Sequence, residues 1–158
     1  SGCISLVLAK NLPNWEITGI DISSDAVSIS EMNKKRLTIE NANFYIADIL
    51  EVIPQKNYHI VVSNPPYIPL TDFDELQEEV RFHEPKSALT DYSDGMRFFK
   101  RYAEIFSKIT TLNGAFFLET GFGQSEEVVK LFNNSIWDIE LLDDCYGVKR
   151  IVKGIKKL

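Results

Sequence analysis

Cysteine, histidine and positive charge are all scarce in this sequence. Two cysteines, Cys3 and Cys145, and two histidines, His59 and His83, are too few and too scattered for a disulfide framework or a metal-ligand cluster, so no metal is expected. Each cysteine reads as a buried or half-buried free thiol. No apolar run approaches the roughly 20 residues of a membrane span, and no signal-peptide pattern opens the chain. That points to a cytoplasmic protein with no membrane partner. Basic residues number 17 against 23 acidic ones, a net charge of -6. Such a balance opposes loose attraction to a phosphate backbone, and no direct nucleic-acid partner is expected. The basic stretches Lys34-Lys35-Arg36 and Lys149-Arg150…Lys153…Lys156-Lys157 read as solvated faces.

What is present is the pattern of an α/β domain of 158 residues. Apolar periodicity switches repeatedly between 2 and 3.6, predicting alternating strands and helices. Helices are expected at Ile4 to Lys10, at Asp25 to Arg36 with Ser24 as N-cap, at Asp94 to Ile109 and at Ser125 to Phe132. Strands are expected at Glu16 to Ile22, Ala42 to Ala47, Tyr58 to Ser63 and Ala115 to Glu119. The run at Tyr58 to Ser63 is almost wholly apolar, as a parallel sheet covered on both faces requires. Trp137 to Leu142 and Arg150 to Ile155, separated by a turn at Gly147, read as an antiparallel hairpin. A mostly parallel sheet ending in such a hairpin resembles the Rossmann-like fold of class I S-adenosyl-L-methionine methyltransferases. In that fold a first strand precedes the first helix. Here Ser1-Gly2 leads straight into a helix, so residues 1–158 are expected to form one catalytic domain that is truncated at its N-terminus.

Ligands of open α/β sheets bind beyond the carboxyl ends of the strands. Ser1-Gly2 at the head of the first helix can offer backbone N–H groups to a carboxylate. Asp21 closes the strand Thr18-Gly19-Ile20-Asp21, where its carboxylate can accept from both hydroxyls of a ribose. Its other possible role is to help Ser23-Ser24 cap the next helix. Asp48 follows the next strand and can accept from the exocyclic amine of an adenine flanked by Ile22 and Ile49. Asp is equally at home in a plain turn there. These residues are the expected S-adenosyl-L-methionine contacts.

The most specific feature is the strand Ile60-Val61-Val62-Ser63 ending abruptly in Asn64-Pro65-Pro66-Tyr67. Each proline fixes its own φ and keeps the preceding residue out of the helical region, so Asn64 and Pro65 are held extended. The Asn64 side chain and the Pro65 carbonyl are then two acceptors that can converge on one NH₂ group. That suits a planar amide or an aromatic amine, each with two in-plane hydrogens. Tyr67 supplies a flat ring for such a group. Asn64, Pro65 and Tyr67 are the expected catalytic residues. Asn64 also faces the cofactor, and Asn64 to Tyr67, Pro66 included, receive the substrate. The competing reading of Pro-Pro is a bare loop leaving a strand.

The extended motif Asn64-Pro65-Pro66-Tyr67-Ile68-Pro69 is followed by Glu79-Val80, Glu84-Pro85 with Ala88-Leu89, and Asp94-Gly95. Glu119-Thr120-Gly121 with Gln124, and Gly147 with Arg150, come later. Together they make the chain resemble the protein-(glutamine-N5) methyltransferases that modify peptide-chain release factors. The resemblance implies methyl transfer from S-adenosyl-L-methionine to a glutamine amide, S-adenosyl-L-homocysteine as product, and a release factor as protein partner; the sequence does not reveal the oligomeric state, and a monomer is the expectation. It departs from the family at Asp91-Tyr92-Ser93, where a Gly-Gly pair is usual, and in the absent N-terminal helical domain. Three other readings stand beside it: an adenine-N6 methyltransferase on DNA or RNA, a glutamine methyltransferase of a ribosomal protein, and a nucleotide-binding domain without chemistry. The acidic run Asp72, Asp74, Glu75, Glu78, Glu79 disfavours DNA and otherwise reads as a solvated helix.

Overall fold

The computed structural model describes residues 1–55, 57–132 and 135–157. They form two compact units, Ser1–Ile53 and Pro54–Leu158.

The first unit is a β-α-β element preceded by a helix. Helix α1 (Cys3–Asn11) leads to strand β1 (Ile17–Asp21), helix α2 (Ser24–Arg36) and strand β2 (Ala42–Ile46). β1 and β2 pair in parallel from Ile17 opposite Ala42 to Asp21 opposite Ile46, which requires the helical crossover between them. Leu6, Ala9, Ile39 and Ala42 form its core with Ile17 and Phe44 against them. The Asn41 side chain ties the end of α1 to this core by donating to the carbonyls of Ala9, Leu12 and Trp15. α2 begins one residue earlier than its pattern predicts. Its N-cap is Ser23, whose hydroxyl accepts from the Ala26 N–H, and Ser24 is already helical. The reason is Asp21, which takes the Ser23 N–H at 2.9 Å and leaves Ser23 in the extended conformation that a cap needs.

The second unit holds strand β3 (Tyr58–Ser63), a 3-10 turn (Leu70–Glu75), and short helices α3 (Glu78–His83) and α4 (Lys86–Leu89). Helix α5 (Arg97–Ile109), strand β4 (Thr110–Glu119), helix α6 (Ser125–Phe132) and strands β5 (Trp137–Asp143) and β6 (Lys149–Lys156) follow. The sheet order is β3-β4-β6-β5, with β3 parallel to β4 and β6 antiparallel to both its neighbours. Phe106, Phe116, Phe132 and Trp137 form an aromatic core, with the Phe116 ring centroid 4.6 Å from Phe132 and 4.9 Å from Trp137. Gly154 makes room for it, because a Cβ there would stand 2.2 Å from Phe116.

Several boundaries differ from the sequence pattern for local reasons. α5 starts at Arg97 because Gly95 takes a left-handed φ of +79° and Asp94 caps the Met96 N–H instead of entering the helix. β4 starts at Thr110, directly from α5, and carries a kink at Asn113 with φ 60°. β3 has β4 on one side, and Ile60 and Val62 remain 39% and 40% exposed, so the double coverage expected of this run is not reached within the described residues. Both cysteines are exposed, Cys3 in the first turn of a surface helix and Cys145 in the hairpin turn, which corrects the expectation of buried thiols. No helix among the described residues is long and apolar enough to cross a membrane.

Candidate active site

The residues expected to hold a cofactor lie in the first unit. β1 and β2 end side by side, and the Asp21 carbonyl accepts the Ala47 N–H, so the residues after both strands share one edge of the sheet. There Asp21 is exposed, with one carboxylate oxygen on the Ser23 N–H. The turn-forming and ligand-accepting roles are therefore compatible, since a carboxylate has about four lone-pair sites. Ile22 is 63% exposed, an apolar surface left in solvent beside that carboxylate. Asp48 and Ile49 are half-buried, and Asp48 accepts the Leu50 N–H at 2.8 Å in a tight turn. α1 returns into β1 through a short turn, which brings its N-terminus to this same end of the sheet. Gly2 caps that helix at φ +70°, and a Cβ there would come within 2.9 Å of Phe44 and Ser30. The Ser1 carbonyl is anchored by the Asn33 side chain at 3.0 Å.

The Asn64–Tyr67 segment lies in the second unit, directly after β3. Asn64 is exposed, Pro65 buried, and Pro66 and Tyr67 half-buried. Among the described residues no hydrogen-bond donor reaches the Asn64 side chain or the Pro65 carbonyl. The next carbonyl but one is fully engaged: Gln124 donates its side-chain amide to the Tyr67 oxygen at 2.8 Å and accepts the Gly121 N–H at 2.9 Å through its own oxygen. Gly95 presses on the same carbonyl, and a Cβ there would stand 2.3 Å from it. The chain leaving the motif is held by Ile68 and Leu70, whose N–H groups donate to the carbonyls of Leu89 and Ser93. Ser63, on the other side, shares a 2.8 Å hydrogen bond with the buried Tyr102 hydroxyl. The motif is thus clamped before and after, with the Asn64 side chain and the Pro65 carbonyl unclaimed among the described residues.

Burial, reinforced by the negative charge of Glu119, raises the Tyr67 phenol above its ordinary value against an opposing pull from Arg150. Tyr67 is therefore an uncharged ring and hydrogen-bond donor at physiological pH. The bridging role of Gln124, the Ser63–Tyr102 bond and the buried carboxylate of Asp91 are contacts that sequence reasoning did not identify. Only Gln124 carried any signal, as part of the motif set.

Residues 1–91 match the model of a family described as the methyltransferase small domain. The chain belongs to that family. The matched stretch contains Asp21 at the end of β1, Asp48 in the turn after β2, and the Asn64–Tyr67 motif. Among its relatives is a release factor glutamine methyltransferase of Thermodesulfovibrio yellowstonii, 34% identical over 153 residues, covering 96% of this chain and 55% of the relative. Another, of Fusobacterium nucleatum, is 32% identical over 160 residues and covers 100% of this chain and 45% of the relative. The chain spans about half the length of the curated relatives it matches. Among solved structures, a methyltransferase from Pyrococcus furiosus superposes with a TM-score of 0.69 at 12% identity, covering 99% of this chain and 70% of that one. The N-methyltransferase NodS from Bradyrhizobium japonicum, solved with S-adenosyl-L-homocysteine, gives 0.58 at 11% identity, covering 97% and 72%. This member of the methyltransferase small domain family therefore has the Rossmann-like α/β fold of class I methyltransferases.

Proposed function

We propose that this chain is the catalytic portion of an enzyme that methylates the side-chain amide nitrogen of a glutamine in a peptide-chain release factor. The observation that carries the reading is the Asn64-Pro65-Pro66-Tyr67 segment, clamped on both sides yet with the Asn64 side chain and the Pro65 carbonyl unclaimed among the described residues. The Pro65 carbonyl has an acceptor's capacity that no donor among the described residues takes up, so a ligand N–H can pair with it. A carboxamide NH₂ brings two in-plane hydrogens to two acceptors.

S-adenosyl-L-methionine fits the donor set of the first unit and supplies an electrophilic methyl group when bound. The first-turn N–H groups after Gly2 suit its carboxylate, Asp21 its ribose hydroxyls, and Asp48 with Ile22 and Ile49 its adenine. The contribution of Asn64 and Pro65 is to orient the amide. An amide nitrogen is a weak nucleophile because its lone pair is delocalised into the carbonyl. Holding both hydrogens as donors aims that lone pair and draws electron density toward nitrogen as the new N–C bond forms, an effect worth several kcal/mol. The nitrogen becomes acidic only once methylated, and its proton then leaves to solvent, so no base is needed before attack. A neutral Tyr67 is consistent with this. We place the protein in the cytoplasm, where release factors act, as a monomer without direct nucleic-acid contact. The net charge of -6 and the exposed Asp72, Asp74, Glu75, Glu78 and Glu79 support the last point.

The test gives the complete enzyme labelled cofactor with a release factor, its glutamine-to-glutamate variant, and duplex DNA. Label on the release factor alone is expected. Label on DNA, or equal label on both protein variants, rejects the assignment. Asn64→Ala should cut the rate far more than cofactor affinity, because the lost bond strengthens as charge develops on the nitrogen.

A further inference from the structure

The Asp91 carboxylate is 2% exposed and receives three backbone donors. One oxygen accepts the N–H of Ser93 at 2.8 Å and of Gly95 at 3.0 Å, and the other accepts the N–H of Arg97 at 2.9 Å. A buried carboxylate with three charge-assisted bonds defines the whole path from residue 91 into the first turn of α5. Along that path Tyr92 sits at φ 60°, a left-handed conformation that costs a non-glycine residue about 1–2 kcal/mol, and its N–H is held by the Thr90 hydroxyl. Strain of this kind persists only where the surroundings over-determine it. The segment so defined delivers two contacts to the motif: the Ser93 carbonyl takes the Leu70 N–H, and Gly95 packs against the Tyr67 carbonyl beside the Gln124 amide.

We propose that Asp91 is a positioning residue for methyl transfer, acting through Gly95 on the Tyr67 carbonyl and so on the orientation of the Asn64–Tyr67 loop. The rival role is that of a helix cap for α5 alone, which would set stability and leave the folded enzyme's rate untouched. The two differ in what the loop feels. Asp91→Asn keeps an acceptor for Ser93 and Gly95 but turns an NH₂ group toward the Arg97 N–H, and Asp91→Ala removes all three bonds.

The inference rests on the glutamine reading for its rate measurement, so a second readout that needs no activity accompanies it. In the complete protein, kcat on the release factor, the cofactor Kd and the NMR signal of the Gln124 side-chain amide are measured for both variants. Asp91→Ala is expected to lower kcat on the order of 10- to 100-fold, as a displacement of about 1 Å can. Asp91→Asn should lower it less, with Kd within about twofold for both. The Gln124 amide signal should move, and Asp91→Ala should cost much less in a Gln124→Ala background, because coupled residues are non-additive. An unmoved Gln124 signal, an unchanged kcat in a less stable protein, full additivity, or failure of both variants to fold each overturns the positioning role. If the unmutated protein methylates no release factor while the Gln124 signal still moves, the glutamine reading falls and the positioning of the loop stands.

Discussion

The Gln124 side-chain amide donates to the Tyr67 backbone carbonyl at 2.8 Å, joining the head of α6 to the motif across 57 positions of sequence. The same amide oxygen holds the Gly121 N–H, so one side chain sets the distance between the β4–α6 turn and the Asn64–Tyr67 loop.

Gln124→Glu separates the two halves of that bridge. A carboxylate can still accept from Gly121 but has no proton for the Tyr67 carbonyl, leaving two oxygens facing each other. A loss of about 1–3 kcal/mol in urea unfolding is expected, with a fall in methylation rate. Unchanged stability would show that the bridge contributes nothing.

Two glycines with nearly the same backbone geometry separate strain from collision. Gly95 and Gly123 have φ of +79° and +77°, but a Cβ on Gly95 meets the Tyr67 carbonyl at 2.3 Å, whereas one on Gly123 meets nothing within 4 Å. Gly123→Ala should cost only the left-handed strain, on the order of 1 kcal/mol. Gly95→Ala should cost about 1–3 kcal/mol more, as overpacking does, together with the rate. Equal melting temperatures for the two variants would contradict the close contact.

Tyr102 is buried, and that burial pushes its hydroxyl up to about 12, with the bond to Ser63 pulling the other way. Its folded value lies above the unfolded one, so its contribution to stability is fully present below pH 10 and is lost as the pH rises toward 12. Tyr102→Phe should flatten the alkaline arm of the stability curve, by on the order of 2 kcal/mol at most, while costing about 1 kcal/mol at neutral pH through the unpaired Ser63 hydroxyl. Denaturation midpoints from pH 8 to 12 measure both effects. An alkaline arm as steep as that of the unmutated protein would clear Tyr102 of the role.

Asp21→Ala should weaken S-adenosyl-L-methionine binding by about 1.5–3 kcal/mol, the worth of charged hydrogen bonds, which is roughly ten- to hundredfold in Kd. Calorimetry reads this directly. Since Asp21 also holds the Ser23 N–H, a variant with lower stability and unaltered affinity would return it to capping alone.

The type of every long element was set locally. β3 and α6 occupy Tyr58–Ser63 and Ser125–Phe132 as their patterns predict, because an apolar run and a 3.6-residue period are properties of consecutive side chains. The hairpin of β5 and β6 likewise follows from two short strands around Gly147, which adopts φ +76° in the turn. The backbone restriction of Asn64-Pro65-Pro66-Tyr67 was legible for the same reason, since proline restricts its own backbone and its neighbour's without help from the rest of the fold.

Other features depend on contacts between residues far apart or on which donor reaches an acceptor first. Ser23 and Ser24 are equal candidates for a cap, and only the bond from the Ser23 N–H to Asp21 decides between them. The exposure of Cys3 and Cys145 follows from which way a helix and a turn face, which no residue type reveals. Asp91-Tyr92-Ser93 reads only as a departure from the family pattern until the Asp91 carboxylate is seen folded inward on three N–H groups. What the sequence determined by itself was the identity of the elements and the conformational restriction of the motif. The tertiary structure alone decided how that motif is gripped, because the grip of Gln124, Gly95 and Tyr102 is assembled from segments that only folding brings within hydrogen-bond and van der Waals reach.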